Sequence, residues 1–217
     1  MSTVGSFSRH EHFDELNSPL DTAEGVLSPE VRKARAMTNL MGGSFGTAVA
    51  DSANISTSES IDGNGVVTVN IDLNDFVIGP TDDSAALASG ALIYTLPAGD
   101  IEIRSSSMVG AMANTGTPTT DTPEIGIGNV VGSGANATLG AVNAGCENIC
   151  GPIVATNIAG TANQGMTNAV SGLPIIIPSA SPHAIYLNMA DTWADMTPND
   201  SPVTYTGVIQ IRYRVIP

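Results

Sequence analysis

Positive charge is scarce in this 217-residue chain: seven Lys and Arg stand against 21 Asp and Glu, a net charge of −14. A nucleic-acid binder neutralises phosphates with clustered Lys and Arg, so this balance argues against that class. Arg9, Arg32, Lys33 and Arg35 lie in the first 35 residues, and beyond them three basic residues face 15 acidic ones. The positive charge therefore gathers in an N-terminal segment ahead of an acidic body; a low pI also simply aids solubility. Aromatic residues are only 4%. Small side chains bury little area each, at roughly 25 cal/mol per Å², so part of the stability is expected from backbone ladders and from surface shared between copies. The two cysteines, Cys146 and Cys150, are too few for a disulfide scaffold. No apolar run approaches the ~20 residues of a membrane-spanning helix, and the first residues lack the apolar core of a signal peptide. No membrane partner is expected, and synthesis in a host cytoplasm is.

What the chain does have is alternation. Between 203 and 217, Val203, Tyr205, Gly207, Ile209, Ile211, Tyr213 and Val215 fall on one face of an extended strand, and Thr204, Thr206, Gln210, Arg212 and Arg214 on the other. Period two over that length fits a half-buried strand and no helix. A strand with one apolar face needs neighbours. The sequence predicts them at 66–78, 91–96, 101–113, 124–131, 137–142, 149–156, 173–177 and 184–188, punctuated by Gly/Pro turns such as Asp62-Gly-Asn-Gly. Short strands at this spacing indicate an all-β fold, a jelly-roll-like β-sandwich. Gly126, Gly128, Gly132 and Gly134 recur at even spacing, which predicts a strand face nearly free of side chains, open to close backbone approach.

Ahead of the sandwich, assigned to 65–217, residues 46–64 read as a Gly/Ala/Ser/Thr linker and residues 1–45 as an extended arm. The arm carries one short helix over 29–41, capped by Ser28, opened by Pro29 and stopped by Gly42 and Gly43. Val31, Met37 and Leu40 form part of its apolar stripe, with Arg32, Lys33 and Arg35 mostly away from it. Such a helix either packs on its own domain or docks on a partner. Residues 157–172 read as a long polar insertion.

Local chemistry is sparse. Gly126-Ile-Gly-Asn-Val-Val-Gly contains G-x-G, but without a following helix or βαβ unit it fails as a dinucleotide site. Cys146 and Cys150 lack a second Cys/His pair for zinc and read as buried or idle thiols. His10 and His12 belong to the arm, and His183 has no nucleophile motif to serve. Asp191 and Asp195 follow no calcium-loop pattern. No enzyme activity, metal or cofactor is expected. Trp193, with Tyr205 and Tyr213, is the candidate for a subunit interface; the other reading of Trp193 is a plug at one end of the core.

Leu92-Ile-Tyr-Thr-Leu-Pro-Ala-Gly-Asp-Ile, Gly126-Ile-Gly-Asn-Val-Val-Gly-Ser-Gly-Ala-Asn-Ala-Thr-Leu, Ile185-Tyr-Leu-Asn-Met-Ala-Asp-Thr-Trp-Ala and the closing strand together resemble small structural proteins of tailed bacteriophages, of the kind that decorate or cement the capsid. The likeness runs from about residue 91 to the last strand and leaves out the arm and helix. It implies a jelly-roll-like sandwich without catalytic residues on the outer surface of the virion. It also implies the major capsid protein as partner and self-association, as a trimer. The arm would then lie along capsid subunits, with Arg32, Lys33 and Arg35 answering acidic patches and Val31, Met37 and Leu40 giving apolar grip. The competing class is a tail- or fibre-associated host-recognition or carbohydrate-binding sandwich, which needs exposed aromatics to stack on sugars.

Overall fold

The computed structural model describes residues 45–78, 87–113, 121–154, 166–169 (backbone only), 174–178, 183–193 and 202–216. The arm expected over 1–45, up to residue 44, with its helix at 29–41 and Val31, Arg32, Lys33, Arg35, Met37 and Leu40, lies outside them.

Among the described residues there are eleven strands: β1 (Thr47–Ala48), β2 (Ile55–Ile61), β3 (Val67–Val77), β4 (Ala88–Leu96), β5 (Asp100–Ala113), β6 (Glu124–Gly128), β7 (Cys150–Val154), β8 (Met166–Ala169), β9 (Ile175–Ile177), β10 (His183–Ala190) and β11 (Thr204–Ile216). A short helix, α1 (Leu139–Val142), and a 3-10 turn at Ala144–Cys146 lie between β6 and β7. Sheet one runs β1-β4-β10-β6-β7. Sheet two runs β2-β3-β11-β5-β8, with β9 also paired to β5. All pairings are antiparallel.

The pairing is nested. β3 pairs with β11, β4 with β10, β5 with β8 and β9, and β6 with β7. A long hairpin rolled up so that its limbs alternate between two sheets gives this order, and that is a jelly roll. The fold class read from alternation is therefore the fold observed.

β11 lies at the centre of sheet two, with Tyr205, Ile209, Ile211 and Tyr213 wholly buried and Thr206, Val208 and Arg212 exposed. Gly207 interrupts the apolar face for a reason. It stands opposite Gly110, and a Cβ on Gly110 would lie 2.4 Å from the Tyr205 hydroxyl. The glycine pair leaves a slot for the Tyr205 ring. Across the core, the Tyr94 and Tyr213 hydroxyls are 3.3 Å apart and tie the two sheets together, while Tyr94 donates to the Glu59 carboxylate and accepts from the Gly46 amide at 2.8 Å. Burial, with the Glu59 carboxylate nearby, pushes the Tyr213 hydroxyl up to about 12, against the hydrogen bond to Tyr94, which lowers it.

Three sequence expectations are corrected. Residues 46–64 are not a plain linker: β1 and β2 both belong to the sheets. β2 escapes detection because its inward row, Ile55, Thr57, Glu59 and Ile61, is half polar, as an edge strand with one neighbour allows. The turn ahead of β3 was legible: Asp62 accepts from the Asn64 and Val66 amides at 2.8 and 3.0 Å, and Gly65 takes φ 74°. Those two amides hold the Asp62 carboxyl below its usual range. Second, 137–142 holds α1, not a strand; Leu139 is buried as Val142 packs beside it, at a spacing one helical turn satisfies. Third, the polar insertion at 157–172 contributes β8 to sheet two.

Candidate interaction surface

The two sheets present their outer faces differently. On sheet one, Asn188 and Ala190 of β10 point away from the main core yet are fully buried, because residues 129–149 fold over them. Glycines make that cover fit. Asn188 stands between Gly90 on β4 and Gly126 on β6, and Gly128 stands beside Tyr186. A Cβ on Gly128 would lie 1.9 Å from the Gly145 carbonyl oxygen. The even glycine spacing thus does what it predicts at 126 and 128: it lets a second layer of backbone lie directly on the strands.

Asn188 fastens the cover. Its amide nitrogen donates to the Val130 carbonyl at 2.9 Å and the Cys146 carbonyl at 2.7 Å, while its Oδ1 accepts from the Gly132 amide at 2.7 Å. Beneath lies a small second core of Ala88, Leu139, Cys146 and Ala190, edged by Val130 and Val142. Cys146 and Cys150 are both buried, and burial pushes Cys150 up to about 11. At the rim of the cover Glu124 accepts from the Leu139 amide at 2.5 Å. Burial and then the nearby Glu124 charge raise the Glu147 carboxyl.

That raised carboxyl gives a pH dependence. Above its ordinary value of 4.5 and below the raised one, the folded chain holds more protons at Glu147 than the unfolded chain, so stability falls as pH rises through the window. Glu147→Gln is expected to raise the melting temperature at pH 7 and flatten its decline between pH 4 and 7. Thermal melts across that range check it, and an unchanged profile contradicts it.

The outer face of sheet two has no such cover among the described residues. Along β11 and β5 it runs Arg214 beside Glu102, Arg212 beside Ser105, Gln210 beside Ser107, Val208 beside Val109, Thr206 beside Ala111 and Thr204 beside Ala113. On the other flank β3 sets Thr68, Asn70 and Asp72 beside Arg212, Gln210 and Val208. Val109 and Val208 are 51% and 44% exposed, and adjacent. Arg104 and Arg214 share the Glu102 carboxylate at 3.1 and 2.5 Å, and Arg212 reaches Asp62 at 3.7 Å. Burial would raise the Glu102 carboxyl, but those two guanidiniums hold it below its usual range. Every basic residue beyond position 35 therefore lies at one end of this face.

Among residues singled out from the sequence, Trp193, Tyr205 and Tyr213 are all fully buried. They fill this chain's own core and are not presented to a second copy. Trp193 takes the plug role: its Nε1 donates to the Leu87 carbonyl at 2.8 Å, and the Asp191 amide donates to the same oxygen at 3.1 Å. Its φ of 51° marks the sharp exit from β10. Among the described residues no group of three or more His, Cys, Asp or Glu is placed to hold a metal, and no helix is long and apolar enough to cross a membrane. The covered face, its Asn188 clasp and the bare face of sheet two were missed in the sequence; only the glycine spacing signalled the first.

No protein-family model matches the chain, and no curated protein matches it. Among solved structures, a chain of the cyanophage Pam1 capsid asymmetric unit is similar over 78% of this chain and 92% of that one, at 15% identity and a TM-score of 0.35.

Proposed function

We propose that the chain is a structural virion protein of a tailed phage that decorates and cements the capsid by bridging major capsid protein subunits, without enzymatic activity. The sequence likeness to phage structural proteins motivates the reading, and the jelly roll is the scaffold such a role uses. One observation favours it over a carbohydrate-binding sandwich: Trp193, Tyr94, Tyr205 and Tyr213 are all buried to 0% exposure. A sugar site needs aromatic faces in the open, and here the one tryptophan and three of the four tyrosines are spent on the core.

In this reading the acidic sandwich stands on the outer surface of the shell. Residues 1–45 lie along the capsid protein, with Arg32, Lys33 and Arg35 against acidic patches and Val31, Met37 and Leu40 in apolar contact. An extended arm spreads its contacts over several subunits, and several copies add avidity. Deleting residues 1–45 is expected to abolish co-sedimentation with purified shells while leaving the circular dichroism of the sandwich unchanged. Truncated chains that still decorate shells would overturn the role of the arm. Mass spectrometry of virions tests the rest: hundreds of copies per particle are expected, and a handful would place the protein at the tail or a vertex.

A further inference from the structure

The outer face of sheet two is polarised along its strands. Arg212 and Arg214 mark one end, and Asp72 and Asp75 lie toward the other, Asp75 bound to Thr206 through its amide at 2.9 Å. Between them lie Gln210 and the exposed pair Val109 and Val208. We infer that this face pairs with the same face of a second copy about a two-fold axis, with Arg212 and Arg214 of each copy meeting Asp72 and Asp75 of the other.

The register carries the inference. A two-fold axis lying between the faces and crossing the strands at Gln210 reverses strand direction and leaves lateral position unchanged. It carries Arg212, two residues on one side, to the level of Val208, whose neighbour on β3 is Asp72. It carries Arg214, four residues away, to the level of Thr206 and Asp75. The same operation repeats both contacts with the copies exchanged, as an isologous interface requires. The aliphatic stem of Arg212 then lies over Val208 and Val109 while its guanidinium reaches past them to Asp72, a division of labour that long cationic side chains suit.

Charge and area both favour a second copy as the occupant. A body with three basic and 15 acidic residues beyond position 35 repels itself on most approaches. This face holds all three of those basic residues, so here two copies meet with opposite charges aligned. At ~3.3 Å per residue and ~4.8 Å between strands, the five strands of the path cover roughly 800 Å², which is about what one partner contributes to a stable dimer. The pairing concerns the chain alone and stands whether or not it binds a capsid. It also differs from the three-fold association expected from the sequence, because face-to-face pairing closes at two.

Sedimentation velocity of the full chain at about 50 µM and low salt tests it. A dimer is expected, with its dissociation constant rising at least tenfold on Val208→Glu and on Arg212→Glu, and falling back toward the parent value in the Arg212→Glu/Asp72→Arg double variant. These positions are exposed, and circular dichroism confirms that each variant is folded. A monomer at every concentration, a trimer, or a dimer indifferent to Val208→Glu would each overturn the inference. Shell binding measured on the same variants keeps the two questions apart: loss of binding by a Val208→Glu chain whose parent is monomeric would assign the face to the capsid instead.

Discussion

Gly128→Ala is expected to lower the melting temperature by about 10 °C. The new Cβ would stand 1.9 Å from the Gly145 carbonyl oxygen and 2.4 Å from the Cys146 carbonyl carbon, both backbone atoms with no rotamer to move. Relief requires lifting the Ala144–Cys146 turn off the sheet. That movement strains two hydrogen bonds, from the Val130 amide to the Gly145 carbonyl at 3.1 Å and from Asn188 to the Cys146 carbonyl at 2.7 Å. Overpacking costs about 1–3 kcal/mol and each weakened bond about 1 kcal/mol, so about 4 kcal/mol in all. For a chain of this size 1 kcal/mol is worth about 2–4 °C. Gly63→Ala serves as the control, because nothing lies within 4 Å of a Cβ there; its melting temperature should stay within about 1 °C of the parent. Equal melting of the two variants would contradict the close approach at Gly128.

Asn188→Ala is expected to cost about 3–4 kcal/mol and to release the cover before the sandwich melts. The substitution strands two carbonyls and one amide, those of Val130, Cys146 and Gly132. Each buried polar group left without a partner costs about 1–3 kcal/mol. No adjacent side chain can swing in to replace the amide, since the flanking residues are Gly90 and Gly126. Hydrogen exchange resolved by segment checks the order of events: amides between 129 and 149 should exchange well before those of β3, β5 and β11. Uniform exchange across both regions would mean that the cover and the sandwich unfold as one unit.

The fold was legible wherever one side of a strand faces the core and the other faces water. β11 and β3 satisfy that condition over their length, and their alternation shows it without ambiguity. What did not show was burial that departs from the pleat, even where the strand itself was predicted, as at 184–188. β10 is buried on both faces, Ile185 and Leu187 against the main core and Asn188 and Ala190 beneath the cover. Its sequence gives no polar row to read. β2 fails in the opposite sense, with an edge position that lets Thr57 and Glu59 occupy its inward row. Trp193, Tyr205 and Tyr213 show a further limit: a large aromatic in a chain poor in aromatics fits an interface anchor or a core plug equally well from composition alone. Only placement decides, and all three went inside. The bare face of sheet two could not be seen because its polarity comes from three strands, β3, β5 and β11, that the fold alone brings side by side.

The nested pairing also fixes an order of events in folding. Gln210 donates to Asn70 at 2.9 Å across 140 residues of sequence, and β11 separates β3 from β5 in the middle of sheet two. Until the chain has been made through Ile216, β3 and β5 have an empty lane between them, and the side chains that should close the core have no opposing row. Contacts of such long range impose a large loop-closure cost before they return any energy, which makes folding slow and leaves strand edges open meanwhile. The sandwich therefore cannot assemble progressively from its N-terminal side during synthesis. It closes in one late step, and the rows that stay unpaired until then are those of its two longest β11 neighbours.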